Sequence, residues 1–204
     1  MQKSQKILKS FVEGSLSSQE FEQELISNIE LIEFLSNENL VSDNMNLEGL
    51  SSPYYYLIDQ NYNNAGARLN AHDICSKILN VINIEFIATT AYDEFYDLII
   101  SSQPKYLDID TLFFENHIYK PEYKTLSKSS QKKEIKKIIL RLFQFESKAP
   151  KWIQNPQWLI EDNKPLYFLG QYAIKNSNVF HDDGFIYLFI KKDTKEIRTI
   201  VQLY

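Results

Sequence analysis

The stretch LYFLGQYAIKNSNVFHDDGFIYLFIKKDTKEIRTIVQLY, residues 166–204, decides the fold class of this chain. Three of its segments are rich in β-branched and aromatic residues, as strands are. They are 166–174, 185–190 and 197–204, separated by turn residues at 176–184 and 192–195. Because short connections between neighbouring strands favour antiparallel pairing, the stretch predicts an antiparallel meander at the C-terminus.

The residues that precede this stretch have the patterns of helices. Ser17 and Glu20 have the spacing of a capping box, which predicts a helix that begins after Ser17 and runs to about residue 36. Its apolar positions recur at helical spacing and predict one apolar face. They are Phe21, Leu25, Ile29, Ile32 and Leu35. A shorter helix over 2–13 is predicted to end at Gly14.

Three more helices are predicted further along the chain. They cover 70–80, with Asn70 as a possible N-cap, 91–101, and an amphipathic stretch that begins at Ser130. The segment 54–58 fits a strand or a helix, and 105–128 has no regular pattern. The fold prediction is therefore α+β, with a helical N-terminal part followed by a mainly antiparallel β-sheet C-terminal part. Residues 1–128 are predicted to form the helical lobe. Residues 129–204 form the amphipathic helix and the meander, packed with the first lobe as one continuous unit.

Charge is distributed unevenly along the 204 residues, whose net charge is −5. Residues 1–119 contain 18 acidic and six basic side chains, whereas 120–151 contain three acidic and ten basic ones. The acidic part is expected to attract a basic protein. No apolar segment approaches the roughly 20 residues of a membrane span. The first residues lack the apolar core of a secretory signal, so the predicted location is the cytoplasm.

Sequence motifs of catalysis and cofactor binding are absent from the chain. It contains no GxxxxGK[ST], GxGxxG, HExxH, GxSxG or CxxC pattern. His72, His117 and His181 lie far apart, and the single cysteine, Cys75, is expected to be a buried, inert thiol. These absences predict a protein that is not an enzyme and needs no cofactor.

Two charged segments have alternative interpretations. Asp108, Asp110 and Glu115 offer the oxygen ligands that Mg²⁺ or Ca²⁺ prefers, but such a site needs more ligands. The favoured interpretation is that Asp110 caps a short turn, so no metal site is predicted. The lysine face of the helix after Ser130 fits phosphate binding or simple solvation. Because the chain is acidic and contains three arginines, solvation is favoured and no nucleic-acid partner is expected.

Glutamines within the apolar C-terminal segments also have two interpretations. Gln171 and Gln202 lie inside predicted strands, and buried amides must be hydrogen-bonded. They either bridge parts of the C-terminal sheet internally, which is favoured, or line a small-ligand pocket together with Trp152 and Trp158. The second interpretation makes the chain a ligand-binding or regulatory module.

The C-terminal third carries a resemblance to a known family. Its residues are Pro150-Lys151-Trp152-Ile153-Gln154, Pro156, Trp158, Lys164 through Gln171, Asp182 through Phe189, and Val201-Gln202. This pattern resembles the small β-rich bacterial proteins of the YwqG-like kind. It is also similar to immunity proteins of polymorphic-toxin and contact-dependent growth inhibition systems. The phrase FVEGSLS at 11–17 is similar to the openings of bacterial immunity proteins.

The resemblance implies a non-enzymatic cytoplasmic inhibitor that binds one cognate toxin domain, often a basic nuclease. An acidic inhibitor suits a basic partner, because opposite potentials speed their encounter. Aromatic side chains among acidic ones are the expected contacts. One candidate cluster is Tyr92, Asp93, Glu94, Tyr96 and Asp97, and a second is Asp108, Asp110 and Glu115.

Overall fold

The computed structural model describes residues 1–175 and 182–204. The α-helices are α1 Lys3–Val12, α2 Ser18–Ser27, α3 Ile29–Leu35, α4 Pro53–Ile58, α5 Ala65–Val81, α6 Ala91–Ser102, α7 Thr111–His117 and α8 Lys128–Leu142. Short 3-10 helices cover Glu38–Leu40 and Pro121–Thr125. The strands are β1 Ile160–Glu161, β2 Lys164–Pro165, β3 Tyr167–Ile174, β4 Gly184–Ile190 and β5 Ile197–Leu203.

The predicted α+β class is confirmed, since helices fill the N-terminal part and an antiparallel three-stranded sheet lies near the C-terminus. The three predicted strands of the meander are present and pair in the order β3-β4-β5. Most of the predicted turn at 176–184, together with His181, lies outside the described residues. No helix within the described residues has the length and apolar character to cross a membrane.

The chain divides into two compact units, Met1–Asp97 and Leu98–Tyr204, here called the N-terminal and the C-terminal unit. The division falls within α6. The expectation that 1–128 and 129–204 pack as one continuous structure stays a prediction.

The core of the N-terminal unit forms between α1, α2, α3 and α5. Phe11 of α1 stacks on Phe21 of α2 with ring centroids 4.1 Å apart, and Tyr62 meets Phe21 edge-on. The capping box is confirmed, because the Ser17 Oγ accepts the N–H of Glu20 and the Glu20 carboxylate accepts the N–H of Ser17. Burial of these large side chains supplies the main stabilisation of the unit.

The prediction of one continuous helix to residue 36 is wrong, because the chain breaks at Asn28. The Asn28 side chain accepts the N–H of Leu31 and caps α3, and its own backbone has an extended conformation. The break changes which residues face the core. Leu31 and Leu35 are fully buried, whereas Ile29 is 70% exposed, contrary to its predicted place on the apolar face.

Other helix boundaries also differ from the predicted ones. Asn64, not Asn70, caps α5, which therefore begins at Ala65. The ambiguous segment 54–58 belongs to α4. The predicted irregular segment 105–128 contains α7, where Phe114 is fully buried. The amphipathic helix begins earlier than Ser130, because Ser127 is its N-cap.

In the C-terminal unit, the segment after Pro150 is bound to one face of the three-stranded sheet. The Gln171 carboxamide bonds to both backbone groups of Lys151. The Tyr187 hydroxyl donates to the Lys151 carbonyl, and the Trp152 ring lies 4.3 Å from the Tyr187 ring. These contacts confirm the favoured interpretation that the glutamines bridge the C-terminal sheet internally.

Candidate protein-binding surface

Two exposed isoleucines of the N-terminal unit lie beside two exposed carboxylates at the junction of α2 and α3. Ile26 is 57% exposed and Ile29 is 70% exposed. Glu30 follows directly, and Glu33 lies one helical turn after Ile29 on the same side of α3. We call these four residues, Ile26, Ile29, Glu30 and Glu33, the α2–α3 patch.

The position of this patch follows from the local sequence. Asn28 is the C-cap of α2 and the N-cap of α3. Its side-chain amide donates to the Glu24 carboxylate at 2.6 Å, and its side-chain oxygen accepts the N–H of Leu31. Leu25 and Leu31 then fill the core on either side of the break. Because both core positions are occupied, the isoleucines between them are left on the surface.

The N-terminal unit is strongly acidic. It contains fifteen Asp and Glu side chains and five Lys and Arg side chains, so ten carboxylates remain in excess. Lys9 pairs with Glu13, and Lys77 pairs with Asp73. The C-terminal unit, by contrast, contains twelve acidic and seventeen basic side chains. A net negative potential therefore surrounds the α2–α3 patch and favours a positively charged partner.

A groove of about 510 Å³ borders the acidic side of the patch. Glu30 and Glu33 line it together with Phe34 of the same helix. The N-terminal end of α1 contributes Gln2, Lys3 and Ser4, and Asn37 completes the lining. The groove therefore presents one half-buried aromatic ring, two carboxylates and the ammonium group of Lys3.

The first predicted cluster lies on α6 and divides into core and surface residues. Tyr92 packs on Phe11 and His72 at 5.7 and 5.1 Å, and burial raises the pKa of its hydroxyl. Tyr96 is half-buried. Asp93, Glu94 and Asp97 are exposed. Asp93 and Glu94 lie in the first turn of α6, where negative charge interacts favourably with the helix dipole. The exposed members stay predicted contacts, while Tyr92 anchors α6 to the core.

The second predicted cluster surrounds the beginning of α7 in the C-terminal unit. Asp110 caps this helix, since its carboxylate accepts the N–H of Phe113 at 2.9 Å. Asp108 is exposed and Glu115 is half-buried. Within residues 1–175 and 182–204, no three His, Cys, Asp or Glu side chains are placed to hold a metal ion. The hydrogen bond from Phe113 confirms that Asp110 is a helix cap.

The described histidines and the cysteine have structural roles. His72 is buried, and its Nε2 lies 2.9 Å from the Val12 carbonyl. His117 lies in the other unit and packs on Phe113 with ring centroids 4.7 Å apart. Cys75 is fully buried, and burial raises the pKa of its thiol, as expected for an inert cysteine.

Residues predicted to line a ligand pocket bind the chain itself. Gln202 is 1% exposed and uses its whole carboxamide on the segment 153–155. The indole N–H of Trp152 donates to the Tyr106 carbonyl, and that of Trp158 donates to the Leu166 carbonyl. A pocket of about 190 Å³ lies elsewhere in the unit. Its lining combines charged residues such as Glu161 and Lys191 with apolar ones such as Leu142 and Leu166.

Sequence reasoning missed the α2–α3 patch because it assigned Ile29 to the core. The signal that identifies the break is Asn28, three positions before Leu31, which is the spacing of an N-cap. No family model, curated protein or solved structure matches this chain.

Proposed function

We propose that this protein is a non-enzymatic immunity protein that binds a basic toxin domain in the cytoplasm and blocks it without covalent chemistry. The observation that carries the proposal is the pairing of exposed aliphatic side chains with a large excess of carboxylates in one compact unit. Ile26 and Ile29 supply apolar contact, while Glu30 and Glu33 supply charge. Interfaces commonly combine a desolvated apolar centre with a charged rim.

Electrostatics supports a protein with basic side chains as the partner. A potential of opposite sign increases the rate of encounter and disfavours acidic competitors. The proposed complex therefore weakens as ionic strength rises, because salt screens interactions between exposed charges. The negative charge of the N-terminal unit repels nucleic acid. It suits a toxin with a positively charged surface, such as a nuclease with a basic substrate groove.

The proposal predicts that a gene beside the one for this chain encodes a toxic domain, and co-expression with that domain tests it. Wild-type protein is expected to restore growth of bacterial cells that express that domain, and to form a 1:1 complex with it in vitro. Failure of the wild-type chain to restore growth or to bind the domain would rule out the immunity function.

The surface is tested with matched variants. Ile29→Arg introduces a positive charge into the patch and is expected to weaken binding by about thirtyfold or more, as loss of an interface anchor does. Ile87→Arg is the control, since Ile87 is 85% exposed in the same unit and outside the patch. Equal affinities for the two variants, with unchanged thermal stability, would show that the toxin binds elsewhere.

A charge reversal separates electrostatics from apolar contact. The double variant Glu30→Lys/Glu33→Lys is expected to reduce the association rate more than it increases the dissociation rate, and to flatten the salt dependence. Glu85→Lys is the control for a change of charge outside the patch, because Glu85 is exposed in the same unit.

A further inference from the structure

One edge of the three-stranded sheet, formed by β5, has open backbone groups. The Lys191 N–H donates to the Glu196 carbonyl. Together with the register of β4 and β5, this bond identifies which residues of β5 bond to β4 and which face outward. In an antiparallel pair every second residue bonds to the neighbouring strand. Ile197, Thr199 and Val201 therefore direct their N–H and C=O groups away from β4.

The other edge is covered at the beginning of β3, and the far end of β5 is closed. Phe168 of β3 exchanges backbone hydrogen bonds of 3.0 Å with Gln144 and Glu146. The Leu203 carbonyl of β5 accepts the Gln154 side chain at 2.7 Å. In the described part of the chain, no partner is found for the outward groups of Thr199 and Val201. The open edge therefore consists of the segment from Ile197 to Val201, where the Ile197 carbonyl also accepts the Arg198 guanidinium at 3.4 Å.

This edge also lacks the features that usually prevent strand association. Edge strands are commonly protected by lysines, prolines or bulges. The segment contains none of these, and Arg198, its one charged residue, is held by Glu161 and Glu196 at 2.8 and 2.7 Å. Ile197 is 57% exposed and Val201 is 41% exposed. An open, aliphatic edge of this kind is a template for another strand.

We propose that β5 pairs antiparallel with β5 of a second copy of this chain, about a two-fold axis at Thr199. In this register Thr199 pairs with itself and Ile197 pairs with Val201, so every bond uses groups that are directed away from β4, and the Ile197 carbonyl accepts a second donor beside Arg198. The sheets of the two copies then join into one sheet of six strands. The interface is isologous, as expected for a closed two-fold dimer.

The charge pattern favours a second copy over the basic toxin as the occupant. In this register Arg198 lies opposite Ile200, so no like charges meet across the axis. The carboxylates beside the edge, Glu161 and Glu196, already bind Arg198 and therefore attract a basic partner less. The exposed face of the sheet carries Tyr172, Ile186 and Val201 in register. In the dimer this face extends from one copy into the other. Ile197 of one copy then covers Val201 of the other.

The dimer is expected to be weak. A single pair of short strands buries less than the roughly 1,000 Å² that stable interfaces need. Sedimentation equilibrium over about 10 µM to 1 mM therefore covers the relevant range. The mass is expected to rise from 24.0 kDa toward twice that value. A constant monomer mass, or a mass that continues to rise beyond the dimer, would overturn the proposal.

The register is tested by cross-linking with introduced cysteines. Thr199→Cys is expected to form a disulfide-linked dimer under mild oxidation, because facing Cα atoms are about 5.5 Å apart in such a pair. Tyr172→Cys is the control. It is likewise exposed on β3, but the two β3 strands are about 24 Å apart in the dimer, at five strand spacings. The native Cys75 is buried and does not interfere.

A charge variant provides the second readout. Thr199→Lys places two lysines opposite each other and is expected to abolish dimerisation without loss of thermal stability. Thr194→Lys adds the same charge in the turn before β5 and is expected to leave the dimer unchanged. Equal cross-linking of the two cysteine variants, or cross-linking of Thr199→Cys in cells to a different protein only, would refute self-pairing.

Discussion

The buried side-chain amide of Gln202 donates a hydrogen bond of 2.9 Å to the backbone carbonyl of Asn155. Its oxygen accepts the N–H groups of Ile153 and Gln154, each at 3.2 Å. One side chain of β5 thereby satisfies three backbone groups of a segment that has no regular structure of its own. Such groups are costly to bury without partners.

Gln202→Leu is therefore expected to destabilise the protein by about 2–4 kcal/mol, because it leaves buried backbone groups unsatisfied. Urea unfolding followed by tryptophan fluorescence measures the effect. Gln171→Leu is the matched control, since Gln171 is only half-buried and water replaces its bonds to Lys151. An equal loss of stability in both variants would contradict the special role of Gln202.

Two glycines of the sheet are expected to respond to alanine in opposite directions. A Cβ at Gly184 would overlap the backbone carbonyl oxygen of Gln202, so Gly184→Ala must displace β5. We expect a loss of about 1–3 kcal/mol, as overpacking causes. At Gly170 a Cβ meets no atom within 4 Å. Gly170→Ala is therefore expected to stabilise the sheet by about 0.5 kcal/mol, through lower entropy of the unfolded chain. Thermal unfolding distinguishes the two signs.

The capping box of α2 links stability to pH. The N–H of Ser17 and then its hydroxyl donate to the Glu20 carboxylate and lower its pKa from the ordinary value of 4.5. A lowered pKa stabilises the folded protein above the pKa of the unfolded chain, and this contribution is lost as the pH falls through the folded pKa. Ser17→Ala is expected to cost about 1 kcal/mol at neutral pH for the lost cap.

The difference in stability between wild type and Ser17→Ala is expected to shrink as the pH falls below about 4.5, which denaturation at several pH values measures. Ser27→Ala provides the control. Its hydroxyl bonds only to the Gln23 carbonyl within α2, so its loss leaves both caps intact. A pH-independent difference for Ser17→Ala would show that Glu20 does not take part.

The thiol of Cys75 is expected to be unreactive in the native protein. It is fully buried, burial raises its pKa, and the thiolate is the reactive form. Ellman's reagent is expected to modify no cysteine in native buffer and one per chain in guanidinium chloride. Rapid modification in native buffer would show that α5 opens locally at low cost.

Local sequence patterns predicted the elements that depend on near neighbours. The capping box at Ser17 and the three strands of the meander needed only side chains within a few positions of one another. The same reasoning failed at Asn28, where a residue that fits a helix interior by position caps a new helix instead. Local spacing does not reveal that Leu31, rather than Ile29, completes the core, since that depends on long-range packing with α1.

The candidate surface was predictable in charge but not in position. The excess of carboxylates in the first half follows from counting, and the exposed members of α6 were identified among the predicted contacts. The sequence could not show that Tyr92 and Asp110 have structural roles. Tyrosine and aspartate are common both in interfaces and in such roles, here an aromatic core contact and a helix cap. Burial against Phe11, and the bond from the Phe113 N–H to Asp110, exist only after folding.

The sequence by itself determined the fold class, the order of helices and strands, the uneven charge and the inert cysteine, because each follows from residue chemistry or short-range periodicity. Only the tertiary structure decided which isoleucines reach the surface, which amides of the sheet bind the segment after Pro150, and which edge of the sheet stays open. These properties arise from competition among distant residues for the same buried positions and the same backbone partners.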